Sequence, residues 1–223
     1  LIYRLLLLIA SPFILFKLVR FSRGYRHYSL AQAFGFQKKV IKADIWIHCA
    51  SVGEVLAARP LIKAWLDKHP ASLVLLTTMT PTGAEQAFNS FDERVVHRYL
   101  PIDWSASVSR FLKRIECPTL LVIETELWPN LLSQVKQKGL KLYIVNARLS
   151  ERSFAKYARF SSFSAQLMSL PDLICAHAQA DADRFLSLGA NNVCITGNIK
   201  FDLKVSSQVY RDNWQQKFKP NEF

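Results

Sequence analysis

Acidic residues are missing from the start of this 223-residue chain, since all 17 Asp and Glu side chains lie at or after Asp44. The acid-free segment holds eight of the 29 Lys and Arg residues, so much of the formal net charge of +12 sits at one end. Such a basic end is typical of proteins that contact a polyanion or an anionic membrane. Nucleic acid is the weaker of these partners, because no basic stripe with interleaved aromatic residues follows the segment.

A long apolar run is also missing. The uncharged stretch near the start covers residues 5–16, between Arg4 and Lys17. It is shorter than the roughly 20 residues that a membrane span needs. A tilted span becomes possible if the side chains of Arg4 and Lys17 extend toward the head groups. We expect residues 1–19 to form a membrane-anchor helix, spanning or interfacial, with a buried core helix as the alternative. The basic residues that follow, in 20–43, then form a membrane-proximal segment and favour a cytoplasmic location for the rest of the chain.

Several motifs of known chemistry are absent. The four cysteines have no short-range pairing and lie mostly in apolar runs, so they predict reduced core residues and not a disulfide or zinc framework. No Walker loop, GxGxxG or GxSxG is present, which argues against nucleotide binding and a hydrolase triad. The run Asp181-Ala182-Asp183 resembles a metal-binding DxD, but it opens a predicted helix, where acids favour the dipole. We therefore expect no metal site and no resident cofactor.

What is present is a regular alternation of short apolar runs and longer helical patterns between residues 44 and 203. This pattern is typical of βαβ units and predicts an α/β fold with a doubly wound, Rossmann-like parallel sheet. The predicted strands are 45–50, 73–78, 95–100, 119–124, 140–145, 173–176 and 193–196. The predicted helices are 54–69, bent or restarted at Pro60, 82–90, 105–116, 128–138, 151–169 and 180–188. Residues 204–223 form a connector.

Glu54 is the first candidate for a catalytic side chain. It follows the first predicted strand, and Ser51 is a good N-cap for the helix that begins there. Glu54 therefore lies in a first helical turn at the carboxyl edge of the sheet, where ligands of open α/β sheets bind. A simple interaction of the carboxylate with the helix dipole is the alternative.

Other predicted strands end in polar residues at the same edge. Thr80 and Thr82 could bind a sugar, carboxylate or phosphate, or could simply cap a helix. Glu124 and Glu126 end a buried strand, where acids are costly unless they are paired or used. An ion pair with Arg148 is one explanation of the two glutamates, since a guanidinium can hold a carboxylate or an anionic ligand.

Five motifs in this order resemble the Kdo transferases, which transfer 3-deoxy-D-manno-octulosonic acid (Kdo) in lipopolysaccharide synthesis. They are ASVGE (50–54), TTMTPTG (77–83), ETELWPN (124–130), NARLS (146–150) and GNIKFD (197–202). The resemblance covers nearly the whole chain. It implies the N-terminal half of a GT-B glycosyltransferase, with residues 44–203 as the acceptor-binding domain and a C-terminal donor domain after the connector.

The resemblance also implies roles for individual residues. Glu54 matches the catalytic base. The implied acceptor-binding residues are Ser51, Gly53, Thr80, Thr82, Gly83, Glu124, Glu126, Arg148 and Lys200. The candidates for lipid phosphates and anionic head groups are Arg20, Arg23, Arg26, Lys38 and Lys39.

The implied donor is CMP-Kdo, bound mainly by the C-terminal domain, and the implied acceptor is a lipid A precursor at the cytoplasmic face of a bacterial inner membrane. No metal and no nucleic acid is expected. Two other functions remain open: a different GT-B transferase with a lipid-linked acceptor, and a lipid-binding module without catalysis.

Overall fold

A seven-stranded parallel sheet forms the centre of the molecule. The computed structural model describes residues 2–25 and 27–202, so the predicted connector and Arg26 lie outside the described residues. In chain order the strands are β1 (Ile41–Lys42), β2 (Ile45–His48), β3 (Val74–Thr78), β4 (Val95–Tyr99), β5 (Ile115–Glu116), β6 (Thr119–Ile123), β7 (Lys141–Ala147), β8 (Leu173–Ala176) and β9 (Val193–Ile195). The predicted α/β class with a parallel sheet is confirmed, whereas the domain boundaries at 44 and 203 stay predictions.

The order of the strands is β4-β3-β2-β6-β7-β8-β9, and every neighbouring pair is parallel. The chain starts the sheet at β2, builds outward through β3 and β4, and then returns to place β6 on the other side of β2. The order therefore reverses between β2 and β6. In doubly wound sheets such a reversal opens a crevice at the carboxyl ends of the two strands.

The described residues form nine helices. They are α1 (Ile2–Gly24), α2 (Leu30–Ala33), α3 (Val52–Lys68), α4 (Pro81–Ser90), α5 (Ser105–Leu112), α6 (Pro129–Gln137), α7 (Glu151–Ala158), α8 (Ser161–Met168) and α9 (Gln179–Ser187). A short 3-10 turn, Ile199–Asp202, follows β9.

The structure differs from the predicted helices at three points. Helix α3 does not restart at Pro60, because one proline removes a single internal hydrogen bond while the apolar face remains packed. The predicted helix 151–169 is two helices, α7 and α8. The predicted helix 105–116 ends at Leu112, because Ile115 and Glu116 pair with β1 as a separate two-stranded sheet. That pairing joins positions far apart in sequence.

The two faces of the sheet bury different sets of side chains. Trp46 and Leu120 pack on one face against Phe111 and Leu131 of the overlying helices. The other face packs Ile47 and its neighbours against α3. Because both faces are covered, strands such as β3 are buried along their whole length, and this explains their unbroken apolar sequences.

Helix α1 packs on the body of the protein along one side only. Leu18 is buried with Tyr28, Tyr99 and Ile102, and the Tyr3 hydroxyl donates to Asp103 Oδ2 at 2.7 Å. Its opposite side exposes large apolar side chains: Leu5, Leu8, Ile9, Phe13, Leu15, Phe16 and Val19.

None of the helices in the described part of the chain combines the length and the hydropathy that crossing a membrane requires. The described residues therefore do not support the spanning form of the predicted anchor, and the interfacial form stays a prediction. Its uncharged stretch is too short, because Lys17 and Arg20 follow within the same helix.

Candidate active site

Glu54 lies at the carboxyl end of β2, in the first turn of α3. The side chain is only 6% exposed. Its Oε2 accepts a hydrogen bond from the Ala50 N–H at 2.7 Å, and its Oε1 accepts one from the Ser51 hydroxyl at 2.8 Å. Ser51 occupies the predicted N-cap position, but its hydroxyl holds the Glu54 carboxylate and makes no capping bond to the helix backbone.

Burial raises the pKa of Glu54 to about 7, because the charged form loses hydration. The hydrogen bonds from Ser51 and Ala50 act in the opposite direction and stabilise the charge, while the nearby carboxylates of Glu126 and Glu124 raise the pKa further. A carboxyl group that titrates near neutrality can accept a proton from a substrate and release it again within a catalytic cycle.

The end of β6 faces Glu54 across the reversal of strand order. Glu124 has a φ of 61°, a left-handed conformation that is strained for glutamate. Its N–H donates to Val145 O at 2.8 Å, and its Oε1 lies 2.9 Å from Lys200 Nζ. The strained backbone and the ion pair together fix the direction of this carboxylate.

Glu126 is half-buried two residues further on. Burial raises the pKa of its carboxyl, the Trp128 indole lowers it, and the Glu124 carboxylate raises it again. Three carboxyl groups, from two loops, therefore share this part of the crevice. In the described part of the chain, one positive side chain, Lys200, forms an ion pair with one of them, Glu124.

Asn146 is a residue of this edge that sequence reasoning did not assign to the site. It has a φ of 59° and interrupts the register of β7 with β8 between Val145 and Ala147. Its Oδ1 accepts a hydrogen bond from the Ile199 N–H at 3.2 Å, which ties the GNIKFD turn to the end of β7. Asparagine directly after a predicted strand was the available indication, since it tolerates left-handed backbone better than most residues.

Thr125 was also missed. Its hydroxyl donates to Arg148 O at 2.6 Å and accepts from the Arg148 N–H at 3.0 Å, so the loops after β6 and β7 are joined. The Arg148 side chain is exposed, and among the described residues it forms no ion pair with Glu124 or Glu126. Lys200 pairs with Glu124 instead.

The loop after β3 has a structural role. Thr80 caps α4 by accepting a hydrogen bond from the Gly83 N–H at 3.1 Å. A Cβ at position 83 would lie 3.0 Å from Thr80 Oγ1 and 3.3 Å from Thr78 Cβ, so Gly83 permits close packing. Thr82 and Gly53 are exposed. The acceptor contacts of these residues stay predictions.

One of the two DxD-like acids stabilises the loop that follows β7. Asp181 is buried and its Oδ1 accepts from the Leu149 N–H at 2.8 Å, while Asp183 accepts from Gln179 on the same helix. Within residues 2–25 and 27–202 no group of three His, Cys, Asp or Glu side chains has an arrangement that could hold a metal ion.

The predicted lipid-contacting residues lie apart from the crevice. Arg20 and Arg23 are exposed in the last turns of α1, and Lys38 and Lys39 are exposed in the segment between α2 and β1.

Comparison with known proteins adds to this geometry. The 3-deoxy-D-manno-octulosonic-acid transferase (kdotransferase) family matches residues 28–203. A 3-deoxy-D-manno-octulosonic acid transferase of Haemophilus influenzae is 37% identical over 216 residues, which cover 94% of this chain and 51% of that protein. One of Chlamydophila psittaci is 30% identical over 94% of this chain and 50% of that protein. The chain thus spans about half the length of these relatives.

The fold has a counterpart among solved structures. The UDP-GlcNAc 2-epimerase of Neisseria meningitidis, bound to UDP-GlcNAc, aligns with a TM-score of 0.53 over 80% of this chain and 54% of that one, at 15% identity. At this identity the likeness concerns the arrangement of strands and helices alone. Together with the match over residues 28–203, the observations show that this chain belongs to the 3-deoxy-D-manno-octulosonic acid transferase family.

Proposed function

We propose that the full-length protein is an inverting glycosyltransferase that moves Kdo from CMP-Kdo to a lipid A precursor. The observation that carries the proposal is the buried Glu54 carboxyl, held by two hydrogen bonds at the reversal of strand order and with a pKa of about 7. Family membership supports transfer of Kdo, and the CMP-Kdo donor and the lipid A acceptor are part of the proposal. We expect the donor nucleotide to be bound mainly by a part of the protein outside this chain.

In the proposed step, a hydroxyl oxygen of the acceptor attacks the anomeric carbon of Kdo. The hydroxyl proton passes to a carboxylate oxygen of Glu54, the new carbon–oxygen bond forms, and CMP leaves with the electrons of the bond that breaks. Because attack and departure occur on opposite faces, the anomeric configuration inverts. Since CMP is a good leaving group, the step requires no metal held by this chain.

The surrounding residues support binding of the acceptor. Ser51 and Gly53 border Glu54, while Glu124 and Glu126 can accept hydrogen bonds from acceptor hydroxyls. Arg148 is exposed and can form an ion pair with a negatively charged group of a ligand. Lys200 can do the same if it leaves Glu124 and pairs with the ligand instead. Thr80, Thr82 and Gly83 shape the neighbouring loop and in this proposal line the acceptor pocket.

Helix α1 gives the proposal its membrane component. Its exposed apolar side, with Phe13 exposed by 72% and Phe16 by 67%, is suited to lie in the interface of a bilayer. Arg20 and Arg23 follow it and suit anionic head groups, each worth on the order of 1 kcal/mol near such a surface. The proposed location is the cytoplasmic face of the inner membrane.

The test is transfer of labelled Kdo from CMP-Kdo to a lipid A precursor by the full-length protein and its Glu54→Gln variant. We expect the rate to fall about 100-fold or more, since a general base contributes roughly 10²- to 10⁴-fold. Glu93→Gln, an exposed acid that precedes β4, is the matched control and should keep the parent rate.

An inactive parent would reject the Kdo transfer itself. An active parent whose Glu54→Gln variant keeps its rate would place the base elsewhere, with Glu126 next in line. A lipid-binding module without catalysis would bind acceptor equally well with either residue at position 54 and would show no transfer.

A further inference from the structure

A basic groove lies beside β4, the outer strand of the sheet. Its volume is about 390 Å³. At the normal spacing of strands, β4 is roughly 10 Å from β2, so the groove is separate from the Glu54 crevice. Three cations and no acid are among the described residues that line it. The polar lining consists of Ser29, Gln32, Gln37, Lys38, Lys39 and Arg98.

Arg98 is the cation that is drawn furthest from water. It is half-buried, and its Nη1 donates to His97 O at 2.6 Å. No carboxylate of the described residues lies within ion-pair distance of it. Burial lowers the pKa of the Arg98 guanidinium, because its charge loses hydration. A partly desolvated guanidinium with free N–H groups is a favourable partner for an oxyanion.

Gln37 supplies a second donor. Its Nε2 is buried and has no hydrogen-bond partner in the described protein. A buried donor without a partner is costly, so an acceptor oxygen placed in the groove would remove that cost. The glutamine and arginine donors in this groove favour a ligand with hydrogen-bond acceptors. The two neighbouring lysines favour a ligand with negative charge.

The wall that carries Lys38 and Lys39 is held firmly. Gly35 has a φ of 83°, and a Cβ there would lie 2.0 Å from Ser107 O, so the backbone packs directly on α5. Arg110 Nε donates to Phe34 O at 3.0 Å, and the Arg110 guanidinium lies 4.7 Å from the centre of the Phe36 ring. The segment is therefore fixed before any ligand arrives, which lowers the entropic cost of binding.

The opposite wall is fixed as well. Gln32 Oε1 accepts from the Tyr99 N–H at 3.0 Å and so attaches α2 to β4 next to Arg98. Tyr99 in turn packs with Tyr28 and Leu18 of α1, which places the groove on the same part of the molecule as the exposed apolar helix.

We propose that this groove binds a phosphate monoester, with Arg98 as the bidentate partner and Lys38, Lys39 and Gln37 as additional donors. A monoester fits three cations better than a diester does, because it carries close to two negative charges near neutrality and has three terminal oxygens. The group can belong to a lipid head group or to a soluble sugar phosphate. The proposal goes beyond Kdo transfer, since binding here needs no reaction at Glu54.

The experiment measures binding of the full-length protein to phosphatidylcholine vesicles that contain either phosphatidic acid, a monoester, or an equal fraction of phosphatidylglycerol, a diester. The parent should prefer phosphatidic acid. The Lys38→Gln/Arg98→Gln variant should lose about tenfold or more of its affinity for phosphatidic acid, as expected for charge-assisted hydrogen bonds. Lys63→Gln/Lys68→Gln removes the same charge from exposed positions of α3 and should keep the preference.

Competition with glucosamine 1-phosphate identifies the source of the phosphate. Competition at concentrations that match the lipid affinity supports a soluble sugar phosphate, and absence of competition supports a head group. Equal losses in the groove variant and the α3 variant, or no preference for the monoester in the parent, would overturn the proposal. Thermal unfolding of the Lys38→Gln/Arg98→Gln variant, and of Arg98→Lys, which keeps the charge and loses the fork, checks that any loss of binding is not a folding defect.

Discussion

Soluble proteins usually bury apolar side chains and expose charged ones, and two regions of this molecule depart from that rule in opposite ways: helix α1 and the carboxyl edge of the sheet. The edge buries a carboxylate, Glu54, with 6% exposure, whereas α1 exposes Phe13 to 72%. Both choices cost free energy, since a charged group loses hydration and an apolar group orders water. In the proposed function the first serves chemistry on a substrate and the second serves attachment to a surface.

The two regions also differ in how their positions are fixed. Backbone holds the edge, through the strained φ of Glu124, the left-handed Asn146 and the hydrogen bonds to Glu54. Side-chain packing around Leu18 and Tyr28 holds α1, on one side only. Changes at the edge should therefore alter titration and local strain, and changes on the open side of α1 should alter surface binding with little effect on folding.

The largest expected effect comes from the open side of α1. In the triple variant Leu8→Ser/Phe13→Ser/Phe16→Ser, partition into anionic vesicles should fall about 100-fold or more, because each side chain contributes roughly 1.5 kcal/mol or more when buried in lipid. Vesicle sedimentation gives the partition, and the melting temperature should stay close to the parent value. Leu18→Ala is the matched control on the packed side, where stability should fall while partition persists. Equal partition of the parent and the triple variant would reject the proposal that the open side of α1 binds a membrane.

The second effect is a pH-dependent stability of the edge. The pKa of Glu54 is about 7 in the folded protein and about 4.3 in an unfolded chain. The folded state therefore binds this proton more tightly, and the stability from protonated Glu54, full below about pH 4.3, is lost as the pH rises to about 7. Glu54→Gln avoids that loss.

Urea unfolding at about pH 5 and about pH 8 should show this difference. The free energy of unfolding of Glu54→Gln minus that of the parent should be about 1 to 3 kcal/mol larger at the higher pH than at the lower pH. The amide of Glu54→Gln makes the hydrogen bonds with Ser51 and Ala50 less well. The difference in unfolding free energy between variant and parent at the lower pH measures that effect and is subtracted. A stability difference that does not change with pH would show that the Glu54 carboxyl titrates normally.

A third prediction isolates the backbone strain at Asn146. Asn146→Ala should be less stable than Asn146→Gly by about 1 kcal/mol, because a Cβ disfavours the left-handed conformation and glycine has none. Both variants lose the hydrogen bond to the Ile199 N–H, so that loss cancels in the difference. Chemical denaturation of the two variants measures it. Equal stabilities would mean that the end of β7 relaxes to another conformation.

The smallest expected effect concerns Lys200. Its ammonium offsets the Glu124 carboxylate, which itself raises the pKa of Glu54. Lys200→Met should therefore raise the pKa of Glu54 further, by less than about one unit, since the pair is partly exposed and screened by salt. NMR titration of the Glu54 carboxyl gives the value, and Lys200→Arg should leave it unchanged. An unchanged pKa in Lys200→Met would show that the Glu124 charge is too far from Glu54 to act, and a lowered pKa would contradict the prediction.

Local patterns anticipated much of the central sheet. The strand Leu173–Ala176 has the predicted bounds, because a short apolar run between turn residues carries its own boundary information. The pair β1 and β5 was missed, since each strand has two residues and exists only through its partner. The split of 151–169 into α7 and α8 was missed for a related reason, because the turn near Phe160 contains neither glycine nor proline.

The candidate site shows the same limit. The position of Glu54 followed from strand, turn and helix patterns along one stretch of chain. Burial, which raises its pKa to about 7, depends on the surrounding fold, and the carboxylates of Glu126 and Glu124 that raise it further follow another strand. The Thr125–Arg148 bonds likewise join two loops that are separate in sequence. Arg98 carried no indication of a groove, because its environment is made by the distant segment around Gln37.

By itself, the sequence determined the α/β class, the carboxyl edge that carries the polar residues, the basic N-terminal segment and the family, because these depend on local periodicity, charge and ordered motifs. Only the tertiary structure decided which carboxylates share the crevice, that Lys200 and not Arg148 pairs with Glu124, and which side of α1 remains open. The physical reason is that ionisation, strain and exposure depend on neighbours that are distant along the chain and meet only in the folded protein.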